Sequence, residues 1–321
     1  MELFNPNLNI DFMRWRKISL TISAILMVLA AAVLMGRGLN YGLDFTGGAL
    51  VEVVYENSVE VGEVRSALTA GGFPNAVVQS FGGTREFAIR IAAEHQASGG
   101  DATEKTLAND QIAATVRDAL KAKRADVSVK RSEFVGPQIG EELRSDGLVA
   151  VIFVAIGIAI YLWIRFEWRF AIAAIASELH DVLITVGIFA LIGRDFDLPA
   201  LAAVLSVVGY SINDKIVVFD RIREVFRSSR KGEPAEILNR SINSTMSRTI
   251  MTSLTTALAV GALYFLGGPA LESFGLIMLI GIFIGIVSTI FFANPVLLWL
   301  GVSKQDLMPV TRDDPELARR P

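Results

Sequence analysis

Three ionisable side chains in or at the edge of long apolar runs of this 321-residue sequence stand out: Asp181, Asp214 and Arg248. In hydrocarbon such groups are costly, and by default they mark ion or proton pathways. Asp181 lies about 11 residues into its run, roughly 16 Å deep at a helical rise of 1.5 Å per residue, and directly follows His180. Asp214 lies about six residues, or roughly 9 Å, from the basic end of its run. Ser211 and Asn213 precede it and can hydrogen-bond across helices. If the next helix starts near Ser241, Arg248 sits about 10 Å inside. Asp214 and Arg248 would then share a depth on adjacent antiparallel helices, as counter-ions do. An acid so placed can load and release a proton as the guanidinium moves nearer or farther. One charge moved across the membrane is worth about 2.3 kcal/mol per 100 mV, enough to bias a conformational equilibrium. The competing readings are structural: a static ion pair or Asn-like hydrogen bond at Asp214, an interfacial anchor at Arg248, and packing of Asp181 against His180.

No other chemical apparatus is visible. The sequence has no Gly-x-x-x-x-Gly-Lys-Ser/Thr loop, no Gly-x-Ser-x-Gly elbow and no His-Glu-x-x-His. It has no cysteine, and its two histidines, His95 and His180, are far apart. The expectation is therefore no enzyme activity, no metal and no cofactor beyond an ion gradient. A net charge of −3 supplies no basic field for nucleic acid.

Six apolar runs position these groups: 18–36, 147–164, 170–192, 198–219, 250–267 and 274–300. The last is long enough for a tilt or for an interfacial piece after Pro295. Such runs match the roughly 20 residues a helix needs to cross a bilayer, and helices satisfy their own backbone groups. The composition agrees, with 52% hydrophobic residues and a mean hydropathy of +0.48. Lys and Arg set the orientation. Arg14, Arg16 and Lys17 precede the first run, Arg165 and Arg169 separate the second and third, and six basic residues from Arg221 to Arg240 crowd the fourth connection. The third and fifth connections share a single basic residue, Arg194. Alternating sides reproduce this bias, which puts both termini in the cytoplasm and the long first connection outside. The expected plan is a cytoplasmic N-terminus (1–17), a first transmembrane helix (18–36), a periplasmic domain (37–146), helices two to six (147–300) and a cytoplasmic tail (301–321). The first run is longer than a typical signal-peptide core, so it is read as a retained helix.

The long connection has its own rhythm. Residues 49–56 form a valine-rich strand pattern, and 59–70 a helix pattern ended by Gly71-Gly72 and Pro74. Residues 76–81 and 86–92 read as a hairpin around Gly82-Gly83, 102–123 as a helix and 127–135 as a last strand. The order βαββαβ is the ferredoxin-like arrangement. A Ser-Gly-Gly insert within 95–101 reads as a loop. Gly281-x-x-x-Gly285 permits close helix contact.

Several motifs, in order along the chain, resemble the SecF group of the SecD/SecF family of protein-export membrane proteins. They are YGLDFTGG (41–48), EFVGPQIG (133–140), RFEWR (165–169), His180-Asp181, GYSINDKIVVFDRIRE (209–224) and GGPALESF (267–274). The specific signal is Asp44, Phe45, Thr46, Gly47 and Gly48 together with the SIND–VVFDRIRE block that contains Asn213, with His180 in a further motif. It implies an α-helical polytopic membrane protein with about six spans, half of a twelve-span assembly of the resistance–nodulation–division (RND) superfamily, carrying a βαββαβ periplasmic domain. It also implies pairing with SecD, association with the SecYEG channel and with YajC and YidC in many bacteria, secreted polypeptides as clients, and the proton motive force as energy source. The family's proton-relay carboxylate and arginine fall on Asp214 and Arg248. Lys215, beside Asp214, faces about 100° away around a helix and need not touch it. The alternatives are an RND-type small-molecule efflux subunit and a structural scaffold whose charges lock packing.

Overall fold

The computed structural model describes residues 9–80, 83–91, 102–229 and 232–303, with the backbone alone at 102–110. His95, the 95–101 insert, Gly82, Lys231, the first eight residues and the tail from 304 lie outside the described residues. In chain order the elements are α1 (Arg16–Gly36), β1 (Asn40–Tyr41), α2 (Leu43–Thr46), β2 (Gly48–Tyr55), α3 (Val61–Ala70), β3 (Val77–Ser80), β4 (Glu86–Ile91), α4 (Ala102–Lys121) and β5 (Val127–Val135). They continue with α5 (Pro137–Arg165), α6 (Trp168–Ile192), β6 (Asp195–Phe196), α7 (Leu198–Ser228), α8 (Pro234–Leu266), α9 (Pro269–Ser288) and α10 (Asn294–Trp299). The chain divides into two compact units: Leu39–Ile152 with Arg194–Leu201, and the remainder.

In the first unit the predicted strands and helices form in the predicted order. The four-stranded sheet runs β3-β4-β2-β5, all antiparallel, the strand order of a ferredoxin-like fold. Period-two alternation decides which side chains enter the core: Phe87, Ile89 and Ile91 of β4 are buried, with Val51, Val53 and Tyr55 of β2. Val64 and Leu68 of α3, and Val116 and Leu120 of α4, complete that core at helical spacing. Gly71, at the C-terminal end of α3, lets the two helices approach: a Cβ there would lie 2.3 Å from Ala119 Cβ. The sequence reading did not anticipate a two-residue parallel pairing of β1 with β6, Asn40 opposite Asp195 and Tyr41 opposite Phe196. Pairing this short and this distant in sequence leaves no periodic signal.

The second unit is helical. With the α5 and α7 segments, the described residues hold six helices long and apolar enough to cross a membrane. Several extend beyond the apolar runs. α5 begins at Pro137 and not near 147, α7 continues to Ser228, and α8 starts at Pro234 and not near Ser241. Hydropathy marks the stretch suited to lipid and says nothing of where the backbone stops being helical, so amphipathic extensions at either end escape it. Pro295 does not end the last helix. Between α9 and α10 lies a π-helical stretch, Thr289–Ala293. Proline cannot donate to the carbonyl four residues back, and a widened turn relieves the clash of its ring. Asn294 Nδ2 donates to Thr289 O at 2.6 Å.

Packing in this unit relies on small residues. Gly187 admits α1 (a Cβ there would lie 2.6 Å from Ala30 Cβ), and Gly275 admits α8 (2.8 Å from Tyr264 Cβ). The predicted Gly281-x-x-x-Gly285 pair seats α9 against α7: Cβ atoms there would lie 2.3 Å from Val207 Cγ2 and 2.8 Å from Ser211 Oγ. At one end of the bundle, Phe166, Phe170 and Phe219 form an aromatic cluster with ring centroids 5.4–6.1 Å apart.

Candidate functional site

The helix bundle buries a charge cluster centred on Lys215, whose ammonium is 0% exposed. Its Nζ donates to Glu178 Oε1 at 2.7 Å, Asp181 Oδ2 at 2.7 Å and Ser211 Oγ at 2.6 Å. Glu178 and Asp181 are three residues apart on α6 and therefore share one of its faces. Ser211 stands one turn before Lys215 on α7. Asp181, also 0% exposed, is fully engaged. Oδ2 accepts from Ser211 Oγ at 2.6 Å, Ser288 Oγ at 2.7 Å and Lys215, and Oδ1 lies 2.9 Å from His180 Nδ1. The His180 ring stacks on Phe292 in the π-helical stretch, centroids 4.3 Å apart. Gly285 makes the cluster possible: only a residue without Cβ lets α9 close on α7 far enough for Ser211 and Ser288 to reach one carboxylate oxygen.

Asp214, next to Lys215, points elsewhere. It is 5% exposed, and among the described residues its Oδ2 receives only Ser253 Oγ of α8, at 3.4 Å. Tyr210 Oη donates to Ser253 Oγ at 3.0 Å, completing a chain from α7 to α8 and back. Two consecutive residues of α7 thus serve opposite neighbours, Lys215 toward α6 and Asp214 toward α8, as the 100° step of a helix dictates. Lys215 makes no hydrogen bond with Asp214 among the described residues. Arg248 is exposed, and among the described residues it forms no ion pair with Asp214, although its charge reaches that carboxylate. The counter-ion arrangement expected from equal depths is therefore not closed in this structure: Asp214 is buried and Arg248 is exposed. Asn213 is exposed and takes no part in the cluster.

Sequence reasoning counted three ionisable groups in the apolar runs. Glu178 and Lys215 also lie in those runs, and the structure shows both to be buried. Glu178 had a readable signal, a second carboxylate one helical turn before Asp181. Ser288 had none, since a serine in an apolar run is unremarkable until its neighbour is known.

The DFTGG motif does different work. Asp44 Oδ2 accepts from Leu198 N at 2.9 Å and caps the start of α7, while Asp197 Oδ1 accepts from Ala200 N at 2.8 Å. The Phe45 ring stacks on Phe196 at 6.1 Å, and Thr46 Oγ1 donates to Gly42 O at 3.0 Å. Gly47 has φ +67°, and a Cβ on it would lie 2.9 Å from Pro137 Cα. Gly48, with φ +123°, opens β2. These residues form a packed joint that fixes where α5 and α7 begin.

Comparison with known proteins agrees with this architecture. The family described as "Protein export membrane protein SecD/SecF, C-terminal" matches residues 115–303, and the "SecD/SecF GG Motif" family matches residues 32–59. The chain belongs to the SecD/SecF family. Among SecD/SecF proteins, it is 42% identical over 308 residues to the protein translocase subunit SecF of Vibrio alginolyticus, covering 96% of this chain and 95% of that one. It is 40% identical over 298 residues to SecF of Escherichia coli O157:H7, covering 93% and 90%. The crystal structure of SecDF, a translocon-associated membrane protein from Thermus thermophilus, matches with a TM-score of 0.79 and 39% identity. That match covers 93% of this chain but 39% of the SecDF polypeptide, so the chain spans about two fifths of that relative.

Proposed function

We propose that this chain is a SecF-like auxiliary subunit of the Sec protein translocase. It pairs with a SecD-like chain in a bacterial inner membrane and uses the proton motive force to promote late steps of protein export. Its match to part of SecDF supports the pairing, as do α1 and α5, whose apolar windows are only 11% and 6% buried within this chain. Those faces need lipid or a second set of helices to cover them. The Lys/Arg asymmetry supports cytoplasmic termini and a periplasmic ferredoxin-like unit able to meet an emerging secreted polypeptide. SecYEG, with YajC and YidC where present, would supply that polypeptide.

The observation that carries the mechanism is Asp214. It is a buried acid held by a single 3.4 Å hydrogen bond, with the positive charge of Arg248 within reach but not engaged. Such an acid is free to change protonation, whereas one gripped by several donors is not. Asp214 is the proton carrier in this reading and Arg248 the group that modulates it, with Asp181 anchoring the neighbouring helix. The test is Asp214→Asn, which keeps the shape and removes the proton. Proton-driven export in membrane vesicles should fall to background, with normal insertion and normal association with SecD. Export at the parental rate would defeat the mechanism.

A further inference from the structure

The charge cluster beside α6 does not balance as drawn. Two carboxylates, Glu178 and Asp181, face one ammonium, Lys215, in a space from which solvent is excluded. The charges that act on Glu178 are those of Lys215 and Asp181. α1 carries no charged residue from Ile18 to Gly36 and α10 carries none; α9 contributes Ser288 to the cluster and keeps Glu272 16 residues away, about 24 Å along the helix. The π-helical stretch offers only the Phe292 ring to His180. A net negative charge left in this interior would be costly.

The hydrogen bonds show where the balancing proton resides. Both oxygens of Asp181 are engaged, one by three donors and the other by His180, which is how an ionised carboxylate is held. Glu178 Oε1 accepts from Lys215, but Glu178 Oε2 is buried with no hydrogen-bond partner among the described residues, as is His180 Nε2. Of the two acids, Glu178 alone has a spare oxygen.

We propose that Glu178, on α6 and held by Lys215 of α7, is a second proton-binding site of this subunit, on the side of α7 away from the one on which Asp214 faces α8. The bound form is Lys215 ammonium, Asp181 carboxylate and Glu178 carboxylic acid, with His180 giving a single N–H to Asp181 Oδ1, because its Nε2 is buried with no acceptor among the described residues for a second. Releasing the proton from Oε2 turns a neutral cluster into one of charge −1, and rebinding restores neutrality. The two acids lie on opposite sides of α7, so this site stands whether or not Asp214 drives export.

The test is infrared spectroscopy of the purified full chain in lipid nanodiscs near neutral pH. A protonated-carboxyl C=O band should move to lower frequency when the glutamate carboxyls carry carbon-13. It should be lost in Glu178→Gln, which keeps an acceptor for Lys215, and be retained in Asp214→Asn. Lys215→Met should add a second such band, from Asp181, because two acids would then need a proton each. Absence of the band from the parent, its survival in Glu178→Gln, or a shift with aspartate labelling alone would overturn the proposal. The labelling result in the parent decides the matter even if a variant fails to insert. Parental export in Asp214→Asn with this band retained would count against the export mechanism and leave the Glu178 site standing.

Discussion

The ferredoxin-like unit and the helix bundle solve the same packing problem with opposite distributions of charge. In the former the core is aliphatic and aromatic and the ion pairs lie outside it. Arg124 pairs with Asp126 at 2.9 Å and Lys130 with Glu86 at 3.5 Å, all partly exposed. The Arg124 hydrogen bond holds the Asp126 carboxyl below its ordinary range. In the bundle the outward faces are apolar and the ions are at the centre. Water stabilises a charge wherever it reaches one, whereas lipid does not, so a charge in the bundle must find its partners inside. The contrast explains why the charges of the soluble-type unit contribute little, while those of the bundle determine how its helices fit.

The sharpest way to break this contrast is Lys215→Met. Removing the shared ammonium leaves Asp181 without its counter-charge and Glu178 without its donor, and should destabilise the bundle by about 3–5 kcal/mol, read as thermal unfolding in detergent. Adding Glu178→Gln and Asp181→Asn to that variant should recover most of the loss. A smaller effect is expected in the ferredoxin-like unit at high pH. Burial, with Asp126 nearby, pushes the Tyr55 hydroxyl from its ordinary 10 up to about 12. The fold therefore disfavours the tyrosinate, and stability is fully present below pH 10 and declines toward pH 12, by on the order of 2 kcal/mol. Tyr55→Phe should flatten that decline in an alkaline unfolding series followed by near-ultraviolet circular dichroism. Gly285→Ala tests the close approach of α9. Its methyl would press on Ser211, costing about 1–2 kcal/mol and loosening the Ser211–Asp181 hydrogen bond. Mildest of all, Asp44→Ala removes a helix cap and should cost about 1 kcal/mol, with slower amide-exchange protection lost first at Leu198.

Much of this architecture was legible without coordinates. Six apolar runs became six long helices, and the βαββαβ pattern became a sheet in the ferredoxin-like order, because both signals are periodic and local. Boundaries were less legible. Pro234 and Pro137 start helices well outside the lipid-like stretches, and Pro295, which sequence logic treats as a break, is absorbed by a π-helical turn. Asp181 and Asp214 were singled out correctly as buried acids, yet their surroundings differ in ways no spacing rule exposes. Asp181 is held by four donors and Asp214 by one. Lys215 drew notice only for its closeness to Asp214 in sequence, and its two carboxylate partners prove to be on another helix.

By itself the sequence determined which stretches avoid water, how many there are, and where the basic residues gather between them. These are properties of single segments, set by side-chain transfer energies that hold whatever the neighbours are. Only the tertiary structure decided that Glu178, Asp181, Ser211, Lys215 and Ser288 meet, that Arg248 leaves Asp214 unpaired, and that Asp44 caps a helix 154 residues away. Those outcomes depend on how far each helix is rotated and how closely a glycine lets it approach the next. Both are set by packing among all the helices at once.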